Sequence, residues 1–230
     1  AQTEFLSRPE FEVLYGGQAG PGKTECLVAG LTRDIGNPNY HGLLVRRTYK
    51  QLEEVMDRCH KIYPDLGGIW HSTDKRWTFP PGSFIRLGHV QHEDDKYDYQ
   101  GKEFHRIGVD ELSLFTESQY LYLLGRLRTT DPALRPQMLA TSNPGGIGHY
   151  WVKERFVTIT EPKRTYWEAK SGTDRIFIPG TREDNPALML NDPGYDARLA
   201  LLPPLEQARL RYGIWDTFEG QVFTELSSRL

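Results

Sequence analysis

The sequence predicts an α/β fold, a mostly parallel sheet flanked by helices. Two observations carry that expectation. As far as about Tyr150, short apolar runs of strand length alternate with longer helix-like segments, the order that builds βαβ units and a parallel sheet. A glycine-rich stretch also separates the first of those runs from the first helix, "GGQAGPGKTE", residues 16 to 25.

Taken in order, "FEVLY" (Phe11 to Tyr15) is the first strand, and the glycine-rich turn follows it at once. "TECLVAGLTRDI" (Thr24 to Ile35) reads as a helix stopped by Gly36 and Pro38. "HGLLVRR" (His41 to Arg47) is a second apolar strand, and Thr48 with Gln51 three residues on forms a capping box that opens a helix closed by Tyr63-Pro64. "RWTFPPGSFIRLG" (Arg76 to Gly88) reads as a hairpin around Pro-Pro-Gly-Ser. "RIGVDE" (Arg106 to Glu111) is a buried strand that ends in two carboxylates, and "FTESQYLYLLGRLR" (Phe115 to Arg128) is a helix opened by the Thr116/Gln119 capping box. "QMLATSNPGG" (Gln137 to Gly146) is a strand running into a turn. Beyond Tyr150 proline and charge become denser, as in shorter elements. We therefore expect a core over residues 1–160 and shorter elements over 161–218 and 219–230.

Composition excludes several function classes. A net charge of −3 and a pI near 6.2 rule out the broad basic field of an autonomous nucleic-acid binder, so any DNA contact is local or shared with partners. Cys26 and Cys59 lie far apart with no metal-type spacing, which fits a reducing compartment. No apolar run approaches the length of a membrane span and the N-terminus lacks a signal pattern, so we expect a soluble, intracellular protein without membrane contact.

Gly17-Gln18-Ala19-Gly20-Pro21-Gly22-Lys23-Thr24 satisfies G-x-x-x-x-G-K-[ST] in the strand-to-helix context that the pattern requires. Glycines let successive backbone N–H groups turn inward around phosphate oxygens, and the following helix presents its positive N-terminal end. Lys23 then reaches the β- and γ-phosphates of ATP, and the Thr24 hydroxyl binds Mg²⁺. Asp110, ending "RIGVDE", is the expected second metal-holding group, and Glu111 the base that activates an attacking water. At the next strand tip, Thr141, Ser142 and Asn143 can hydrogen-bond the γ-phosphate or the lytic water. Positive charge for the transition state could come from Arg46 or Arg47 within the chain, or from Arg126 and Arg128; the second pair, acting on a neighbouring copy, is the favoured reading. "HVQHEDD" (His89 to Asp95) has metal-like His spacing, but no second ligand cluster accompanies it.

With the phosphate loop, "GVDE" and "TSNP" in this order, and with "KYDYQGKEFHRIGVDELSLF" and "GRLRTT" between, nearly the whole chain resembles the ATPase domain of bacteriophage terminase large subunits. The resemblance implies a P-loop NTPase of the additional-strand catalytic-glutamate type, with a small C-terminal lid and linker subdomain over 161–218 and the start of a linker to a nuclease domain over 219–230. Gly17 to Thr24 match its Walker A motif, Asp110 and Glu111 its Walker B pair, and Thr141-Ser142-Asn143 its coupling motif. Gln2 is similar to the family's adenine-contacting glutamine. The implied activity is Mg²⁺-dependent ATP hydrolysis that drives double-stranded viral DNA into a procapsid, in the host cytoplasm. The implied partners are DNA, the portal protein, the small terminase subunit and further copies in a ring on the portal, the isolated chain being a monomer. A nuclease domain is expected in a longer full-length protein. Two other readings share the motifs: a helicase or recombination ATPase, and a nucleotide-dependent scaffold without turnover.

Overall fold

The computed structural model describes residues 1–216. The strands are β1 (Glu12–Gly17), β2 (His41–Arg46), β3 (Ile69–His71), β4 (Arg76–Thr78), β5 (Phe84–His89), β6 (Arg106–Val109), β7 (Gln137–Ser142), β8 (Tyr166–Glu168) and β9 (Thr173–Gly180). They form one nine-stranded sheet in the order β3-β4-β5-β2-β6-β7-β1-β9-β8. Every pairing from β5 across to β9 is parallel, and the short edge strands β3, β4 and β8 are antiparallel to their neighbours. A parallel block has a consequence for function, because the ends of its strands all meet along one edge.

The central strands are covered on both faces, which is why they read as continuous apolar runs. Successive residues of β1 illustrate this: Val13 and Tyr15 pack with Phe5, Leu27 and Ile178, while Leu14 packs on the other face with Val109, Ala140 and Phe177. The covering helices are α1 (Gln2–Ser7), α2 (Lys23–Gly30), α3 (Tyr49–Ile62), α4 (Glu117–Leu124) and α5 (His149–Val152). Both capping boxes form: Thr48 accepts from the Gln51 amide and Thr116 from the Gln119 amide. Three short helices follow, α6 (Pro186–Asn191), α7 (Tyr195–Leu199) and α8 (Pro204–Glu206), the last continuing in a wider turn to Arg211.

Two expectations are corrected. The helix expected over residues 24–35 ends at Gly30, where a Cβ would come within 2.8 Å of Leu139 and where the Arg106 guanidinium, 3.3 Å away, caps the Gly30 carbonyl. The helix expected over 115–128 ends at Leu124, because Arg126 and Arg128 turn back to pair their backbone with Phe104. Residues 161–180 contribute β8 and β9 to the sheet, β9 pairing with β1 from Arg175 to Gly180, and α6, α7 and α8 follow. The linker expected over 219–230 lies outside the described residues. Among those described, no helix is long and apolar enough to cross a membrane.

Candidate active site at the carboxyl edge of the sheet

The chain leaves β1 through Gly17 and re-enters regular structure at Lys23. Between them Gly20 and Gly22 hold φ values of 98° and 78°, in the left-handed region that glycine occupies without a Cβ penalty. Carbonyls of the loop are already engaged as hydrogen-bond acceptors. The Pro21 carbonyl accepts from the Tyr15 hydroxyl at 3.1 Å and from Gln2 Nε2 at 2.8 Å, and the Gly20 carbonyl accepts from Asn185 Nδ2 at 2.8 Å. No side chain caps α2, so its first N–H groups stay available to an anion. Lys23 is buried, and its ammonium donates to the Gln18 carbonyl at 2.6 Å. Burial pulls its pKa down to about 8 against the opposing pull of Glu111 and Asp110.

Asp110 stands one residue past β6 and is 1% exposed. The backbone ladder sets its position, its amide donating to the Val45 carbonyl at 3.0 Å. The Thr24 hydroxyl donates to Asp110 Oδ2 at 3.1 Å, the Thr141 hydroxyl donates to Oδ1, and Arg46 Nε lies 2.8 Å from Oδ2. A threonine whose proton is given to a carboxylate keeps its lone pairs free for a cation. Thr24 and Asp110 therefore suit Mg²⁺, an oxygen-seeking ion held by few protein groups.

Glu111 follows with φ 57° and ψ 56°, a left-handed conformation that costs a non-glycine residue of order 1 kcal/mol or more and recurs at functional sites. That turn aims the carboxylate into the cavity. Burial, and then the charge of Asp110, push its pKa up, with Lys23 and Arg46 acting in the opposite sense. A carboxylate raised in this way is a stronger base than one in water.

Lys23, Thr24 and Glu111 line a cavity of about 390 Å³ together with Gly20, Gly22, Asn143, Asn185, Leu188 and Tyr195, and Asp110 joins them through its hydrogen bond from the Thr24 hydroxyl. Asn143 Nδ2 donates to the Gly17 carbonyl at 2.7 Å, tying the tip of β7 to the start of the loop. The lid closes on the other side, where a Cβ at Gly20 would meet Leu188 at 2.7 Å and Tyr195 at 3.0 Å. The Leu210 carbonyl also accepts the Ala19 N–H at 2.8 Å.

The structure brings together Lys23, Thr24, Asp110, Glu111, Thr141 and Asn143, and it sets Gln2 against the loop at Gly22. Others go elsewhere. Ser142 is fully buried, accepts from the Ser113 amide at 3.2 Å and donates to the Asn143 carbonyl at 2.9 Å, because neighbours along a strand face opposite sides and Thr141 takes the side of Asp110. The Gln18 side chain accepts from the Arg182 amide at 3.0 Å and so grips the lid. Arg47 donates to the Val90 carbonyl at 3.0 Å and to Gln119, away from the cavity.

Arg126 and Arg128 do not sit at the rim of this chain's site. Helix α4 runs back along the sheet, so its end lies beside Phe104, at the start of β6, at the opposite edge. There Arg128 Nε pairs with Glu103 at 2.9 Å and the Arg126 guanidinium covers the Tyr122 ring. Sequence reasoning missed Asn185, Leu188 and Tyr195. Asn185 before Pro186 is a readable helix start, and its side chain does accept from the Leu188 amide, but no local signal says that this helix returns to the loop.

Residues 14–228 match the family described as terminase large subunit, T4-like virus type, N-terminal. No curated protein matches by sequence. Among solved structures, the large terminase of a thermophilic bacteriophage in complex with ATP-γ-S superposes with a TM-score of 0.69 at 15% identity, over 93% of this chain and 52% of that one. The large terminase ATPase domain of Thermus phage P74-26 gives 0.59 at 17% identity, over 92% and 91%. The N-terminal domain of the phi29 DNA packaging ATPase gives 0.53 at 14%, over 77% and 94%. At these identities the likeness is one of fold, and the chain spans about half the length of the terminase that was solved with ATP-γ-S.

Proposed function

Since the chain belongs to the terminase large-subunit family in its T4-like, N-terminal form, we propose that it is the ATPase motor domain of a DNA-packaging machine. The observation that carries the proposal is that Glu111, just past β6, shares one cavity with Lys23 and the uncapped start of α2, with Asp110 beside it bonded to Thr24. ATP lays its phosphates on the backbone of Gly20 to Thr24, and Lys23 answers the charge of the β- and γ-phosphates. Mg²⁺, held through Thr24 and Asp110, supplies charge neutralisation of the phosphate oxygens when bound. Glu111 takes the proton of the attacking water, and Asn143, hydrogen-bonded to Gly17, is placed to register whether the γ-phosphate is present. The Walker A residues Gly17 to Gly22 shape the loop, and Gln2, which donates to the Pro21 carbonyl, is the residue we assign to the purine.

Closure of α6 and α7 over the loop then links the nucleotide state to movement of the lid. Double-stranded viral DNA, the portal, the small subunit and further copies in a ring are the partners we assign on the strength of the family, the work being done on the procapsid in the host cytoplasm. Arg126 and Arg128, remote from their own site, can stabilise a transition state only in a neighbouring copy.

The test is ATP turnover by the purified chain with and without Mg²⁺, alongside Glu111→Gln. The variant should bind ATP as the parent does and hydrolyse it about 10² to 10⁴ times more slowly. Turnover close to the parent's would remove Glu111 from the role of base.

A further inference from the structure

Asp110 is nearly inaccessible, and an isolated carboxylate buried to that degree costs several kcal/mol. Its hydrogen bonds from Thr24 and Thr141 satisfy lone pairs but bring no charge. Positive charge comes from Arg46, the last residue of β2, whose side chain is 10% exposed. The parallel pairing of β2 with β6 through Val45 and Val109, continued by the Asp110 amide on the Val45 carbonyl, fixes the two side by side.

The contact has an unusual character. Arg46 Nε lies 2.8 Å from Asp110 Oδ2, yet its N–H is not aligned to make a hydrogen bond. Charge and proximity hold the pair, without the directional bonds that Arg155 makes to Glu12, 2.8 Å to each carboxylate oxygen. A pair of that kind is comparatively easy to exchange for another cation.

We propose that Arg46 is a positioning residue that neutralises Asp110 while no divalent cation is bound and competes with the cation for it. This rests on the reading of Asp110 as a Mg²⁺-holding group. A guanidinium kept next to the metal position raises the Mg²⁺ concentration needed to load the site, because like charges a few ångströms apart oppose each other even with partial screening. In exchange, the free protein keeps Asp110 and its two threonines in the geometry the metal requires.

The experiment measures binding of a fluorescent ATP analogue to the full chain as free Mg²⁺ is raised, with melting temperatures taken in EDTA and in saturating Mg²⁺. Arg46→Gln should lower the half-saturating Mg²⁺ concentration about three- to tenfold. It should also lower the melting temperature more in EDTA than in Mg²⁺. Arg46→Lys, which keeps the charge, should restore the parent's Mg²⁺ requirement and covers the case in which the glutamine variant does not fold. Equal destabilisation in both buffers with an unchanged Mg²⁺ requirement, or a lysine variant that behaves like the glutamine one, would overturn the competition. A higher Mg²⁺ requirement in Arg46→Gln would overturn it too, by showing that Arg46 helps to hold the ion. A parent that binds the analogue equally well at every Mg²⁺ concentration would sink the metal role of Asp110, and the inference with it.

Discussion

The two edges of the parallel sheet are both lined with buried polar groups, yet only one has the makings of a site. At the edge where strands begin, Glu12 of β1 accepts both arms of Arg155 and the Tyr120 hydroxyl, 2.6 Å away. Arg106 of β6 pairs with Asp34 at 2.9 Å and caps α2, and Gln137 of β7 gives its amide to the Arg8 and Glu10 carbonyls at 2.8 and 2.9 Å. At the edge where strands end, the pairing is left incomplete. Lys23 has a carbonyl as its hydrogen-bond partner, Glu111 has no cation at ion-pair distance among the described residues, and the α2 N–H groups face a cavity. Polar burial therefore does not by itself mark function. What separates the edges is uncommitted charge and hydrogen-bonding capacity pointed at a shared space.

If that contrast is right, damage at the first edge should appear in stability and damage at the second in chemistry. The largest stability effect is expected from Arg155→Ala, which leaves Glu12 buried and under-compensated. A loss of about 3 kcal/mol is expected, at the low end for breaking a buried pair because Arg175 and Tyr120 stay beside the carboxylate. Denaturant titration measures it, and nucleotide affinity of the folded fraction should stay at the parent's value. A variant as stable as the parent, or one that folds but no longer binds ATP, would break the contrast.

A smaller effect concerns protons at the second edge. Burial holds Lys23 near a pKa of about 8 in the free protein, well below the usual lysine value. The sign follows: the charged form is disfavoured in the folded state, so stability is reduced below pH 8 and recovers as pH rises from 8 towards the unfolded value near 10.5. Bound phosphates favour the charged form, so at pH 8 nucleotide binding should take up about half a proton. Calorimetry in buffers of different ionisation enthalpy reads this uptake, which Lys23→Met should abolish along with most of the affinity. Binding with no proton uptake at pH 8 would mean that Lys23 is already fully charged.

The smallest effect is expected from Arg128→Ala. Its pair with Glu103 is solvent-exposed, with the arginine side chain 56% accessible, and such pairs are worth about 0 to 1 kcal/mol. In the isolated chain turnover should be unchanged. A large loss of turnover in the monomer would bring Arg128 to its own site, against the geometry.

Much of this was legible in the sequence, for reasons that differ between elements. The phosphate loop, the two carboxylates and both capping boxes are local patterns, in which a few adjacent residues carry the whole physical requirement. The mostly parallel sheet followed less directly, from the alternation of runs, and β3, β8 and β9 were not read because their runs are short or interrupted by charge, as in "TDRIFIPG". Ser142 was read with its neighbours as a unit, although strand alternation turns it away from Thr141. Where Arg126 and Arg128 end up has no local signal, because a helix that returns along the sheet carries its last turn to the far edge. The approach of Asn185, Leu188 and Tyr195 to the loop depends on contacts more than 160 residues apart, which no local pattern encodes.

The most direct test of the central claim is a crystal structure of this chain with Mg²⁺ and an ATP transition-state mimic. The account predicts that the phosphates lie on the loop from Gly20 to Thr24, with the γ-position facing Glu111 and Asn143 and the chain's own Arg126 and Arg128 out of reach. A nucleotide bound at the opposite edge, or a γ-position turned away from Glu111, would contradict it.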